Sequence, residues 1–217
     1  MRTAIQENLT DLEKDLFEMA SMVIQAIDRA VNALKEKNIE TAKRIRKEDK
    51  FINEKRWEIE EKCIKIIATQ QPVASDLRKL IAVLNIITDL ERMGDYAAGI
   101  SKIIIKLGLE EPIKPLIDIP RMAEIAIRMT EDSLKAYAER DEQKAREIHK
   151  KDDEVDALYH QIIRELVSIM IENPATITRC TYLIWISHNL ERIADRVTNI
   201  CERTVFLISG EMIEDIS

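Results

Sequence analysis

The sequence predicts an all-α protein, two tandem antiparallel three-helix bundles related by internal pseudo-symmetry. Three observations carry that expectation. The 217 residues hold four glycines and five prolines, nine breakers where average usage of roughly 12 % would supply about 26. Apolar residues recur at alternating three- and four-residue spacings through most of the chain, the period of a helix with one buried face. Short motifs of the first half return in the second at offsets of 100 and 103, which points to a duplicated unit.

The elements follow from where the breakers fall. In the first, Leu9, Leu12, Leu16, Met19, Val23, Ala26, Ala30 and Ala33 form a heptad seam. Asn38 is placed to cap the next helix, whose seam reads Ala42, Ile45, Asp49, Ile52, Arg56, Ile59, Cys63 and Ile66. Pro72 ends that hairpin. A third helix then runs through Leu77, Leu80, Leu84, Ile87, Glu91, Gly94, Ala98 and Ser101 to Ile105. Gly108, Pro112, Pro115 and Pro120 bracket the middle of the chain. The expected organisation is therefore a first repeat over 1–108, a linker over 109–119 and a second repeat over 120–217. In the second repeat the spacing predicts helices from about Pro120 to Arg140, Asp141 to Glu172 and Ala175 to Ser209. Antiparallel bundles with short turns fit three helices per half.

Composition excludes several function classes. A net charge of −7, from 33 Lys+Arg against 40 Asp+Glu, argues against general affinity for nucleic acid or anionic lipid. Cys63, Cys180 and Cys201 are an odd number without CxxC pairing, which reads as reduced core thiols of a cytoplasmic protein. Met1 to Asn8 lacks the apolar stretch of a signal peptide, and no run approaches the ~18 apolar residues of a membrane span. Trp57 and Trp185 are expected in packing. No nucleophilic triad or phosphate-cradling loop stands out, so the reading is a non-enzyme.

The chemistry lies in acids that interrupt the apolar seams. Asp49 takes a seam position in the second helix with Asn53 one turn on; Glu91 and Asp95 do the same in the third. The second half repeats the device with Asp152 and Asp156, then Glu191 and Asp195. Counted from turns near Gln71 and Pro174, the facing motifs lie within about one helical turn of the same level at ~1.5 Å per residue. Crowded carboxylates repel, and burying one unpaired costs several kcal/mol or more. Three resolutions are open. Arg56, Arg92, Arg192 and Arg196 can pair with them, protons can be shared, or a hard cation such as Mg²⁺, Mn²⁺ or iron can be ligated. Regular duplication favours the cation, of divalent or trivalent charge. His188, three residues before Glu191, is a possible nitrogen ligand, although a surface or capped histidine is the ordinary reading.

Two other readings stand beside it. A ferritin-like di-iron protein needs Glu-x-x-His pairs, ExxH, with the histidine three residues after the glutamate. Here His149, His160 and His188 follow Arg146, Ala157 and Trp185 at that distance. A metal-free helical adaptor, with the acids as docking surface, is the other.

The stretch Gln71-Pro72-Val73-Ala74-Ser75-Asp76-Leu77-Arg78, with Asp89-Leu90-Glu91-Arg92-Met93-Gly94-Asp95 and its second copy Asn189-Leu190-Glu191-Arg192-Ile193-Ala194-Asp195, resembles the PhoU family. The resemblance spans nearly the whole chain and implies two three-helix bundles in pseudo-symmetry. It also implies a negative regulator of phosphate uptake and phosphate-starvation signalling. The implied partners are the phosphate ABC transporter, on its ATPase side, and the phosphate-sensing histidine kinase. A cytoplasmic homodimer, held at the inner membrane only through those partners, accords with it. Family members that carry metal, including multinuclear iron, do so at E/D-xxx-D motifs. Carried over, the ligands are Asp49, Glu91 and Asp95, then Asp152, Asp156, Glu191 and Asp195, with Asn53 standing where the second copy has Asp156. Asp76 and Arg78 have no counterpart in the second half; a first-turn role for Asp76 and a partner contact or solvated position for Arg78 are the expectations.

Overall fold

The computed structural model describes residues 2–210; the expected start of the first repeat at Met1 and the end of the second at Ser217 lie outside them. The elements in order are α1 (Arg2–Lys35), α2 (Ile39–Gln70), α3 (Ala74–Leu107), α4 (Asp118–Glu139), α5 (Glu142–His149), α6 (Asp152–Glu172), a 3₁₀ turn (Pro174–Thr176) and α7 (Ile177–Ser209). The first seam lies where the spacing put it, with Leu9, Leu12, Leu16, Met19, Val23, Ala30 and Ala33 all buried.

The duplication is visible in the turn joining the first two helices of each repeat. Lys37 and Arg140 both adopt the left-handed conformation, at φ 54° and 55°. The Asn38 side chain accepts from the Thr41 amide at 2.9 Å, and Asp141 accepts from Lys144 at 2.9 Å. The amides of Asn38 and Asp141 each reach back to an alanine carbonyl, Ala33 and Ala136. These caps satisfy amides that the helix leaves without partners. Asn38→Ala and Asp141→Ala are each expected to lower stability by about 1 kcal/mol, read as a shift in the urea midpoint.

One expectation is corrected. The helix drawn from Asp141 to Glu172 is broken at Lys150-Lys151 into α5 and α6. Charge order explains the break. His149 and the two lysines crowd the end of α5, and Asp152, Asp153 and Glu154 open α6. Cations at a helix C-terminus and anions at the next N-terminus each meet a favourable dipole, which a continuous helix does not offer them. The equivalent stretch of α2, Lys47-Glu48-Asp49-Lys50, mixes its signs and stays helical. Smaller differences are a start at Asp118 for α4 and a 3₁₀ turn before α7.

α1, α2 and α3 form one bundle; α4, α5–α6 and α7 form the other; and the two join along α3–α7 and α1–α4. The buried apolar residues of both bundles make one core cluster. Along the α3–α7 seam, Asp89 meets Asn199, Tyr96 meets Arg192, and Gly99 lies against Asn189. As one number rises the other falls by the same step, so the helices run antiparallel. With the two halves offset by 100, residues 94 and 194 lie at the pseudo-twofold axis. Gly99 is explained here: a Cβ at that position would stand 2.9 Å from Asn189 Oδ1. Arg78 also finds its place, since a Cβ on Gly210 would stand 2.9 Å from its Nη1 at the end of α7. Asp76 lies in the first turn of α3 and accepts from Gln6.

Trp57 and Trp185 are not packed in the core; they are 65 % and 48 % exposed. The three cysteines are buried, and burial pushes the thiols of Cys63 and Cys201 up to about 12. Buried thiols held protonated are inert fillers.

Candidate metal centre

Each acid set is assembled by two helices packed side by side. In the first repeat, α2 supplies Asp49 and Asn53 while α3 supplies Glu91 and Asp95. A Cβ on Gly94 would lie 3.0 Å from Ile52 Cδ1 and 3.5 Å from Asp49 Oδ1, so the missing side chain lets α2 come close at this level. Burial raises the Asp49 carboxyl above the ordinary range, and Asp95 and Glu91 raise it further. Asn53 Nδ2 approaches Asp49 Oδ2 at 3.5 Å, and Arg56 Nη1 reaches Glu91 Oε1 at 3.4 Å. Asp49 also borders a groove of about 330 Å³ lined by Met22, Arg29, Ile45, Glu48 and Phe51 among others.

In the second repeat α6 supplies Asp152 and Asp156, and α7 supplies Glu191 and Asp195. The helix break sets Asp152 in the first turn of α6. Even so, burial and then the charges of Asp156, Asp195 and Glu191 push its carboxyl up to about 7. Burial, followed by Asp195, also raises Asp156 and Glu191. Arg192 Nη1 holds Asp195 Oδ2 at 2.5 Å and is hydrogen-bonded to Tyr96 across the seam. Thus three carboxylates of the first set, with neutral Asn53 beside Asp49, and all four of the second come together, and the facing motifs lie at one level. A twofold relating adjacent antiparallel helices runs perpendicular to both, so it carries one acid set to the other on the same side of the molecule.

Of the four arginines expected as partners, Arg56 and Arg192 face the sets. Arg196 is turned instead to Asp89, with Nη1 3.5 Å from Oδ1. Asp89 is the polar residue that the seam pattern did not single out. It is 8 % exposed and accepts from Asn199 at 3.0 Å, and burial raises its carboxyl despite those partners. Its mate in the aligned motif is the uncharged Asn189, and that mismatch was the available signal.

As placed, no three His, Cys, Asp or Glu side chains among the described residues converge on one point fit to hold an ion. The donors nonetheless suit a cation. Asp152 Oδ1 and Glu191 Oε2 are buried without a hydrogen bond, the condition that a ligated cation relieves. The residues that would hold it are Asp152, Asp156, Glu191 and Asp195. In the first repeat Asp49, Glu91 and Asp95 would do so with a neutral Asn53, and with Arg56 already on Glu91. Hard carboxylate oxygens select magnesium, manganese or iron over soft-metal chemistry.

The fold and these acids define a class: a duplicated all-helical protein with two pseudo-symmetric sets of acidic motifs. The chain belongs to the PhoU family. A sequence model of the PhoU domain matches residues 16–104 and again 119–204. The chain is 40 % identical to a phosphate-specific transport system accessory protein PhoU homolog of Clostridium acetobutylicum, over 98 % of each sequence. A protein of the same description from Aquifex aeolicus is 38 % identical, over 96 % of this chain and 94 % of the other. The crystal structure of the phosphate transport system regulatory protein PhoU from Streptococcus pneumoniae superposes with a TM-score of 0.91 at 32 % identity. It covers 97 % of this chain and 99 % of that one. PhoU from Pseudomonas aeruginosa gives 0.90 at 33 % identity, over 95 % and 99 %. No helix among the described residues is long and apolar enough to cross a membrane.

Proposed function

We propose that this protein regulates phosphate uptake and phosphate-starvation signalling as a negative regulator. It does so by docking on the ATPase side of the phosphate ABC transporter and on the phosphate-sensing histidine kinase. Cations at the two carboxylate sets neutralise the face and fix the tilt of α2 on α3 and of α6 on α7. The observation that carries the reading is resemblance over essentially the full length to accessory and regulatory proteins of phosphate transport. The single-sided placement of the acids supports a docking face.

The experiment is deletion of the gene in its source organism with a phosphate-starvation reporter. In phosphate-rich medium, deletion is expected to switch the reporter on and the wild-type copy to silence it. A variant with Glu91, Asp95, Glu191 and Asp195 all changed to Ala, helical by circular dichroism, is expected to leave it on. A reporter that stays silent on deletion overturns the regulatory reading. Elemental analysis of protein purified without chelator tests the cations separately, and protein free of Mg, Mn and Fe that takes up none of them overturns that part.

A further inference from the structure

Each acid set runs on into an apolar stripe. On α3, Leu77, Leu84 and Glu91 stand seven apart, and on α7 Ile177, Ile184 and Glu191 do the same. Steps of seven are about two helical turns, so each trio keeps to one helix face. Beside them, Ile64 on α2 and Val167 on α6 are equivalent by the offset of 103, and both are exposed. The contact of Arg56 with Glu91 sets the level. Two turns on along α2 and two turns back along α3, Ile64 draws level with Leu84. Trp57 stands seven before Ile64, one turn after Asn53, and is exposed on the same face. Ile177 is exposed as well, and Leu77, Leu84 and Ile184 are partly so. Apolar side chains gathered on a surface and rimmed by charge mark an interaction site.

The symmetry of this face says what fits it. The pseudo-twofold emerges between α3 and α7 on the side where both acid sets open, so the two half-surfaces are copies of one another. Asp95 and Asp195 directly follow the axis residues 94 and 194, and the apolar stripes lie further out. Near the axis the seven carboxylates of the two sets outnumber Arg56, Arg92 and Arg192. Lysine or arginine on a partner complements whichever of those carboxylates stay ionised, and apolar side chains further from the axis complement the stripes. Twofold-related surfaces are matched half against half by a partner that has a twofold of its own. A partner without one engages a single half and leaves the other stripe in water.

We infer that this face docks on a homodimer, one copy of this chain sitting astride the partner's twofold axis. Both partner protomers bring basic side chains near the axis and apolar ones further out. This rests on the docking reading above and adds to it a symmetry and a stoichiometry, one chain to two partner protomers.

The probe is the phosphate ABC transporter of the source organism, assembled in nanodiscs with its pair of ATPase subunits. The full chain is added, the complex is weighed by native mass spectrometry, and affinity is read by biolayer interferometry. One chain per transporter is expected. Trp57→Ser with Ile64→Ser in one half, and Val167→Ser with Ile177→Ser in the other, are each expected to weaken binding by about tenfold or more, since a two-point contact loses its avidity when either point fails. All four changes together should leave no measurable binding. The four residues are exposed, so the variants should keep the wild-type circular dichroism and melting temperature. Two chains per transporter, or weakening confined to one half, overturns the symmetric match and leaves docking standing. Sedimentation of the chain alone tests the other occupant: self-association that the same changes abolish assigns the face to a second copy and overturns the inference. No complex with wild type overturns docking and symmetric match together.

Discussion

Leu90→Ala and Leu190→Ala are each expected to lower the unfolding free energy by about 2–5 kcal/mol, the usual range for a buried leucine truncated in a core. Both residues are fully buried, and they occupy equivalent positions of the two repeats. At about 2–4 °C per kcal/mol for a chain of this size, the melting temperature falls by roughly 4–20 °C. The informative result is the shape of the transition. Buried side chains of both repeats join in one cluster, and α3 packs on α7 along its length, so one transition moves in either variant. Two independent bundles would instead give two transitions, each shifted only by its own substitution, and that outcome would refute a shared core. The double variant should lose about the sum. Relative to the pseudo-twofold the two leucines lie on opposite sides, about 12 Å apart along the helix axis at 1.5 Å per residue, far enough to be independent.

Asp152→Asn is expected to stabilise the protein at pH 8 in the presence of EDTA by about 1–2 kcal/mol. Burial and four neighbouring carboxylates, Asp156, Asp195, Glu191 and Asp153, raise this group from its ordinary 3.8 to about 7. A raised carboxyl stabilises the fold only while protonated: its contribution is complete below about pH 4 and is lost as pH rises through about 7. A shift of about three units corresponds to about 4 kcal/mol in full. Because Asp152 is partly exposed, solvent screening brings this to the smaller figure. Asparagine never ionises, so its advantage over wild type is small at pH 4.5, grows toward pH 7 and is flat above. Urea unfolding of both proteins at pH 4.5, 6, 7 and 8 measures it. An asparagine variant less stable than wild type at pH 8, or one with an equal advantage at pH 4.5 and 8, rules out charge crowding at this position. Saturating Mn²⁺ should narrow or reverse the difference, since a bound cation favours the ionised wild type.

Much of this was legible locally. The α1 seam, the caps at Asn38 and the acids interrupting the apolar stripes are properties of one helix each, and helical periodicity reports them directly. Gly94 stands on the seam of its helix between Glu91 and Asp95, and α2 approaches closely there. Other features were written in the chain but under a different rule. The break at Lys150-Lys151 follows from the order of charges around it, to which apolar spacing is blind. Trp57 and Trp185 were assigned to packing by residue type, yet both stand on outer faces.

The sequence by itself determined the helices, their duplication and the eight positions of the acid motifs, because backbone hydrogen bonding and apolar periodicity act over a few residues. Only the tertiary structure decided what those positions face. Asp89 is satisfied by Asn199, 110 residues away. Arg192 divides itself between Asp195 in its own repeat and Tyr96 in the other. Both acid sets open on one side because α3 and α7 pack antiparallel about a twofold. Desolvation and Coulomb interaction depend on distance in space, and no local pattern records which distant residues the packing of the two repeats brings within reach.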